Sequence, residues 1–283
     1  MHQARFTLIF GAKNSSMIFR MEAPSYSVVI PTMGRETLFR AVQSASIQTL
    51  KPLEILVVAH NGSLSAQGTN ALRSIPDVRI INVQPANAGV TRNIGILESK
   101  GSYIAFLDDD DIWLERKMEL QLNNRDFAVV SCRAEYKGFL NTIKPKTLYA
   151  GDFLNSIYPT FGIGSRKVVL PTPTLVIESN LAKSVLFDET LAEREDLWFI
   201  HEIEKKHARF IQLSEVLVTV NSRMPLSDRD VSVSSDIDWF KRLETVELGL
   251  GWRFLIGVAL RNRMARMDLS GFFKLISRAI RSS

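Results

Sequence analysis

The sequence predicts an α/β fold: a mostly parallel central sheet flanked by helices, with a helical appendage at the C-terminal end. Three observations lead there. Short apolar, β-branched runs alternate with segments whose apolar residues recur every three or four positions, which are the patterns of buried strands and amphipathic helices. The strand-like runs are continuously apolar, as expected where helices cover both faces of a parallel sheet. Beyond Asn221 the composition turns polar and then basic and amphipathic, which separates a tail from the alternating units.

Taken in order, residues 26–32 (YSVVIPT) form a first strand, which Pro31 is expected to stop because it has no N–H for a ladder. Residues 35–49 have helical spacing, 53–59 (LEILVVA) form a second strand, and Asn61-Gly62-Ser63 is a turn. A short helix over 65–75 leads to a third strand at 78–84. A helix over 88–101 follows, with Gly101 as its C-cap, and then the strand YIAFL at 103–107. A helix is expected from WLERKMELQL at 113–122, with one of the preceding aspartates as N-cap. Residues 126–138 form a further strand and turn. Residues 139–165 are irregular, with Gly162 and Gly164 giving mobility, and a short strand at 174–179 follows Pro171 and Pro173. The helix over 194–208 starts acidic and ends basic, as its dipole favours. The last strands lie within 209–222.

This divides the chain into a loosely attached leader (1–23), an α/β domain (24–222), and a linker with a basic amphipathic helical tail (223–283). The leader holds FTLIF and basic residues but lacks a long apolar stretch and a small-residue cleavage site. No window reaches 18 uncharged apolar residues, so a transmembrane helix is not expected. Cys132 is the one cysteine, which excludes a disulfide framework and a thiolate metal site and points to a reducing cytosol. The net charge of +5 fits a phosphate-bearing partner or an anionic lipid surface. Nucleic acid is not expected as a partner, because the positive charge is concentrated in the tail and aromatic residues do not interleave with basic ones.

The chemistry concentrates at FLDDDD, Phe106 to Asp111. Four adjacent carboxylates repel one another, so a buried strand that ends in them needs a cation nearby. In an extended segment Asp108 and Asp110 share a face about 6–7 Å apart, a spacing that suits one hydrated divalent ion. Hard oxygen donors without histidine or thiolate select Mg²⁺ or Mn²⁺, with substrate phosphates completing the shell. Arg92, at the start of the helix after the third strand, reaches the same cleft edge. Glu195 and Asp196 open the helix over 194–208, where Trp198 and Phe199 are placed to wall off a carboxylate and raise its pKa toward that of a general base. His60 ends the second strand on the side of the ligand crevice. No P-loop and no G-x-G-x-x-G is present.

Together SVVIPTMGR (27–35), EILVV with NGS (54–63), NAGVTRNIG (87–95), GSYIAFLDDDDIW (101–113) and FDETLAEREDLW (187–198) resemble, in order, the motifs of family 2 glycosyltransferases of the Rossmann-like GT-A fold. The resemblance spans about residues 26–222. It implies an inverting, metal-dependent transfer of one sugar from a nucleotide-sugar, a UDP-sugar in the commonest case, to an acceptor hydroxyl. Pro31, Thr32 and Arg35 resemble the first nucleotide-contacting loop, Arg92 the arginine that approaches the phosphates, and Asp108 with Asp110 the D-x-D pair, flanked by Asp109. Asp196 resembles the catalytic base, with Glu195 and Trp198 on the acceptor side. Ala59-His60-Asn61-Gly62-Ser63 departs from the family's Asp-Asp-Gly-Ser, and an imidazole in place of a carboxylate leaves the nucleotide base open. The Q-x-x-R-W motif of processive members is absent, which implies single transfers. A bacterial surface polysaccharide and a glycan or lipid-linked saccharide acceptor are implied in the same way. The rival reading is a non-catalytic nucleotide-sugar or glycan binder that kept the fold, against which Asp108, Asp110 and Asp196 speak. The amphipathic stripe of the tail leaves two readings open: a peripheral contact with the inner face of the cell membrane, or docking on the protein itself, including a homodimer contact.

Overall fold

The computed structural model describes residues 24–137, 142–145, 148–158, 170–221, 232–260, 263 and 268–282. The leader, Gly162, Gly164 and the linker over 222–231 lie outside these residues.

Four strands, β1 (Tyr26–Thr32), β2 (Glu54–His60), β3 (Val78–Val83) and β4 (Tyr103–Phe106), lie side by side in the order β3-β2-β1-β4, all parallel. Helices α1 (Leu38–Ser46), α2 (Ala66–Arg73) and α3 (Ala88–Glu98) make the crossovers. Beyond β4 the sheet changes character. Strand β8 (Val176–Glu178) runs antiparallel to β4 and to β6 (Val129–Lys137). The long β9 (Phe210–Asn221) is parallel to β6, and β5 (Ile112–Trp113) and β7 (Thr142–Lys144) add antiparallel pairs at β9 and β6. The sheet is therefore mixed: four parallel and four antiparallel pairings join the described strands, and the expected mostly parallel order holds only in its first half.

Alternation along each central strand divides the core between the two faces of the sheet. Val29, Leu56, Ile104 and Phe106 face α3, α7 (Glu195–Lys205) and the C-terminal helices. Val28, Ile30, Ile55, Val57 and Ala105 face α1 and α4 (Lys117–Leu122). On the first face Phe106 meets the rings of Phe187 and Phe199 edge-on, and those two stack at 4.0 Å. Truncating Phe106 to alanine would cost about 3–5 kcal/mol by lost burial and the cavity left behind.

Several local expectations are corrected. Pro31 does not stop β1, which stays paired with β2 through Thr32. Helix α3 ends at Glu98 with Ser99 as C-cap, so Gly101 is not its cap. A Cβ on Gly101 would lie 2.5 Å from the Ser27 amide nitrogen, so glycine is needed there for close backbone approach. No aspartate caps α4: Ile112 and Trp113 are in β5, the helix starts at Lys117, and Arg116 holds the N-cap position without a side-chain bond. Trp113 instead donates its indole N–H to the Pro173 carbonyl at 2.9 Å.

The polar stretch expected to link domain and tail gives way early to α8 (Val233–Val246), whose N-cap Ser232 accepts from the Ser235 amide. Next come α9 (Leu250–Phe254), a π-helical stretch over Leu255–Leu260, and α10 (Leu269–Ser282). Phe240, Leu243, Phe254, Leu255, Leu275 and Ala279 join the same core cluster as Val29 and Phe106. No described helix is long and apolar enough to cross a membrane.

Candidate active site

Strands β1, β2 and β4 end on one edge of the sheet, where open α/β sheets bind ligands. After β1 the chain turns through Gly34, whose φ is +82° and whose place a Cβ would share with the Ser63 carbonyl at 2.0 Å. This turn sets Thr32 and Arg35 against the aspartate run. Thr32 Oγ1 donates to Asp109 Oδ2 at 2.6 Å, and Arg35 Nη1 donates to Asp109 Oδ1 at 2.7 Å and to Asp110 Oδ2 at 3.1 Å.

Asp108 to Asp111 are not extended. Strand β4 ends at Phe106, and the Asp111 amide donates back to the Asp108 carbonyl at 3.1 Å, so the run is a turn and strand alternation does not place its side chains. Asp108 accepts from Arg92 Nη2 at 2.8 Å. Asp109 is buried among Thr32 and Arg35. Asp111 is buried too and accepts from the Asn221 amide at 2.9 Å; burial, then the nearby Asp108 carboxylate, push its pKa up to about 8. Much of the repulsion in the run is thus relieved by the protein's own groups, Arg92 and Arg35, and burial favours the protonated form of Asp111. Burial also raises the pKa of Asp110, while Arg35 opposes that rise.

Arg92 is buried and joins two parts of the site. While Nη2 holds Asp108, Nη1 donates to Glu195 Oε1 at 2.8 Å. Desolvation works against its charge, but Asp108 and Glu195 outweigh it, and the guanidinium pKa is raised. Burial, then the neighbouring Asp196, raise the pKa of Glu195 against the pull of Arg92. Asp196, in the first turn of α7, is half-buried and accepts from its neighbour's amide, Leu197 N, at 2.9 Å. Arg194 precedes the pair at the N-cap position in the left-handed region, with φ +64°.

One network therefore brings together Thr32, Arg35, Arg92, Asp108, Asp109, Asp110 and Glu195, with Asp196 next along the chain. Pro31, half-buried, precedes Thr32 on β1. His60 lies beside the start of α3, its Nε2 within 3.5 Å of Thr91 Oγ1 and the Ala86 amide. Asn61 is exposed. Phe199 lies wholly in the core and walls nothing off. Trp198 packs under Arg242, against His201 and edge-on to Trp239. A hollow of about 280 Å³ lined by Asp152, Asn155, His201 and Glu204 lies toward the other end of α7.

Residues not singled out from sequence also shape the site. Asn93 donates to the Phe187 carbonyl at 2.9 Å and to Glu189 at 3.0 Å and accepts from the Phe187 amide at 2.7 Å, fixing the segment that leads into α7. Its place inside NAGVTRNIG was the available signal. Asn221 holds Asp111 and the Asp110 carbonyl from β9, and nothing in the sequence marks it.

A parallel sheet edge whose carboxylate turn faces an acidic helix start matches the site that the family resemblance implies. The chain belongs to glycosyl transferase family 2, whose profile matches residues 27–174. It is 32% identical over 192 residues to an uncharacterized glycosyltransferase of Rickettsia typhi, a match covering 62% of this chain and 58% of that protein. The chain thus spans less than two thirds of that relative's length. Over 92 residues it is 34% identical to the Escherichia coli enzyme WfaP, a UDP-Glc:alpha-D-GlcNAc-diphosphoundecaprenol beta-1,3-glucosyltransferase, covering 31% of this chain and 36% of that one. The structure of Staphylococcus aureus TarS 1–349 in complex with UDP-GlcNAc shares its fold, with a TM-score of 0.62 at 16% identity over 91% of this chain and 79% of that one.

Proposed function

We propose that the protein transfers one sugar at a time from a UDP-sugar to an acceptor hydroxyl, with inversion, in the synthesis of a bacterial polysaccharide. The observation that carries this is the Arg92 bridge, which sets the carboxylate turn after β4 against the acidic start of α7 with 2.8 Å contacts on both sides. In this reading the donor lies along the ends of β1, β2 and β4, with Arg35 and Arg92 toward its diphosphate. The Asp196 carboxylate takes the acceptor's hydroxyl proton. The acceptor oxygen then bonds to the anomeric carbon as the bond to the diphosphate breaks, and its electron pair leaves with the nucleoside diphosphate.

Asp108 and Asp110 fit a hard divalent ion as a partial shell. Each gives one oxygen to an arginine and each is partly exposed, and among the described residues no group of three or more His, Cys, Asp or Glu side chains is placed to hold a metal. These two would hold Mg²⁺ or Mn²⁺ together with diphosphate oxygens and water. When bound, the ion would neutralise charge on the leaving diphosphate.

The name of WfaP supports a lipid-linked saccharide as acceptor. The test is nucleoside diphosphate release from UDP-glucose, UDP-N-acetylglucosamine and GDP-mannose, each with synthetic undecaprenyl-diphosphate-N-acetylglucosamine or with poly(ribitol phosphate). Acceptor-dependent release from a UDP-sugar supports the reading, and nucleotide-sugar binding without release under every condition would reduce the chain to a binder.

A further inference from the structure

We infer that Asp236, on α8, is a positioning residue for the transfer reaction, acting through Arg194 on the first turn of α7; the inference rests on the reading of Asp196 as base. Arg194 is the residue before Glu195 and Asp196, and its φ of +64° is a conformation that side chains with a Cβ rarely adopt. A neighbouring structure has to hold it there. Arg194 Nη2 donates to Asp236 Oδ1 at 2.5 Å, Nη1 lies 3.4 Å from Ser235 Oγ, and the guanidinium sits 5.0 Å from the centre of the Phe254 ring.

The same helix fastens the surrounding segment at further points. Ser235 Oγ donates to Glu193 Oε2 at 3.0 Å, and Arg242, two turns along, pairs with Asp188 and covers the Trp198 ring at 4.7 Å. From the opposite side α3 holds Phe187 and Glu189 through Asn93 and Glu195 through Arg92. The segment 187–198 is thus clamped between α3 and α8. A rotation at Arg194 would swing the first turn of α7 and move the Asp196 carboxylate off its line to the acceptor hydroxyl, and displacements near 1 Å are enough to cut turnover about 100-fold.

Asp236 also accepts from Arg263 at 2.8 Å, and Arg263 pairs with Asp268, so the same carboxylate joins α8 to the chain before α10. This second arm supplies an internal control. A purely structural role for the cluster predicts that Arg263→Met and Arg194→Met do the same thing. Positioning predicts that only the arm reaching Arg194 governs turnover.

The experiment uses the full chain with the donor and acceptor pair of highest turnover, and compares Arg194→Met, Arg194→Lys, Asp236→Asn, Arg263→Met and Asp196→Asn. Turnover, donor KM, UDP affinity by calorimetry and melting temperature are read for each. Both Arg194 variants and Asp236→Asn are expected to lose roughly 10-fold or more in kcat, with donor KM and UDP affinity changed by less than about 2-fold, while Arg263→Met keeps its kcat. Should Asp236→Asn fail to fold, the two Arg194 variants decide. Equal kcat loss in Arg263→Met and Arg194→Met, or unchanged kcat in the Arg194 variants beside an inactive Asp196→Asn, overturns the positioning role alone. An active Asp196→Asn overturns the base reading and the inference with it.

Discussion

Arg92 donates to Glu195 Oε1 at 2.8 Å while its other terminal nitrogen holds Asp108 at the same distance, so one buried guanidinium spans the two acidic segments of the site. Neither a lysine nor a neutral side chain reproduces that fork. Arg92→Lys is expected to keep the fold and lose turnover by about 100-fold, on the scale of one lost transition-state donor. Arg92→Met leaves two carboxylates facing each other without their cation and should lower stability by about 3–5 kcal/mol. Denaturant unfolding beside a transfer assay separates the two. Wild-type turnover in Arg92→Lys would show that the bridge serves folding only.

Asp110 gives Arg35 one oxygen and is the carboxylate proposed to meet the metal. Asp110→Ala is expected to reduce transfer by about 100-fold or more and to abolish the dependence on added Mn²⁺ or Mg²⁺. Wild-type enzyme that is fully active in EDTA after metal stripping would end the metal proposal whatever the variant does.

Asp196→Asn retains the acceptor for the Leu197 amide, so helix α7 and nucleotide binding should survive it. Turnover is expected to fall by about 10²- to 10⁴-fold, the range for loss of a general base. A variant that binds UDP and turns over like the parent would leave Asp196 as part of a helix terminus and nothing more.

The first half of the sheet was legible because β1 and β2, of seven residues each, and the run YIAFL that holds four-residue β4 are continuously apolar, and the crossover helices keep helical spacing. In the second half the strands at 126–138, 174–179 and 209–222 were legible too, but two-residue β5 was not, nor was the pairing order, since β8 and β9 pair with strands far away in sequence. Within the site, Asp108 and Arg92 were found by charge and position. The turn at Asp108 to Asp111 escaped because strand alternation was carried past Phe106. Arg194 and Asp236 lie 42 residues apart and only the packing of α8 brings them together, so no local pattern announces them.

Lys117 is fully buried, 4.0 Å from the centre of the Trp113 ring, and burial lowers its pKa to about 7 from an ordinary lysine value of 10.5. The native state therefore holds this proton less tightly than the unfolded chain. Stability from this group rises with pH between about 7 and 10.5, and the full penalty persists below 7. Cys132, whose thiol burial pushes up to about 12, acts in the opposite direction above its usual value of 9, so the clean window is pH 7 to 9. The stability difference between wild type and Lys117→Met, from urea unfolding, should shift in favour of wild type by on the order of a few kcal/mol across that window. A difference that stays flat would mean that Lys117 is charged in the fold.

The tail divides between the two readings its sequence allowed. Leu255, Leu275 and Ala279 are buried in the core, and Arg263 is paired with Asp236 and Asp268, so this part of the stripe is internal structure. Yet Leu269, Phe273 and Ile280 on α10 are 62%, 66% and 63% exposed, and their spacing puts them on one helix face with Ile276. Lys274 and Arg281 lie together to one side of that face, about 100° or more around the helix. Basic groups near an anionic leaflet contribute about 1 kcal/mol each, and inserted apolar side chains add burial, enough for reversible attachment without a spanning helix. We propose that this outer face meets the membrane, and expect the full chain to co-sediment with phosphatidylglycerol-rich vesicles at low salt but not with phosphatidylcholine vesicles. Ending the chain near Gly249 would strip Phe254 and Leu255 from the core, so the informative variant is Phe273→Glu with Ile280→Glu, which changes exposed positions only. It should keep its melting temperature and release from the vesicles. A full chain that stays in the supernatant with anionic vesicles would rule out the membrane contact and leave the exposed face to another partner, and binding that survives the double variant would place the contact elsewhere on the protein.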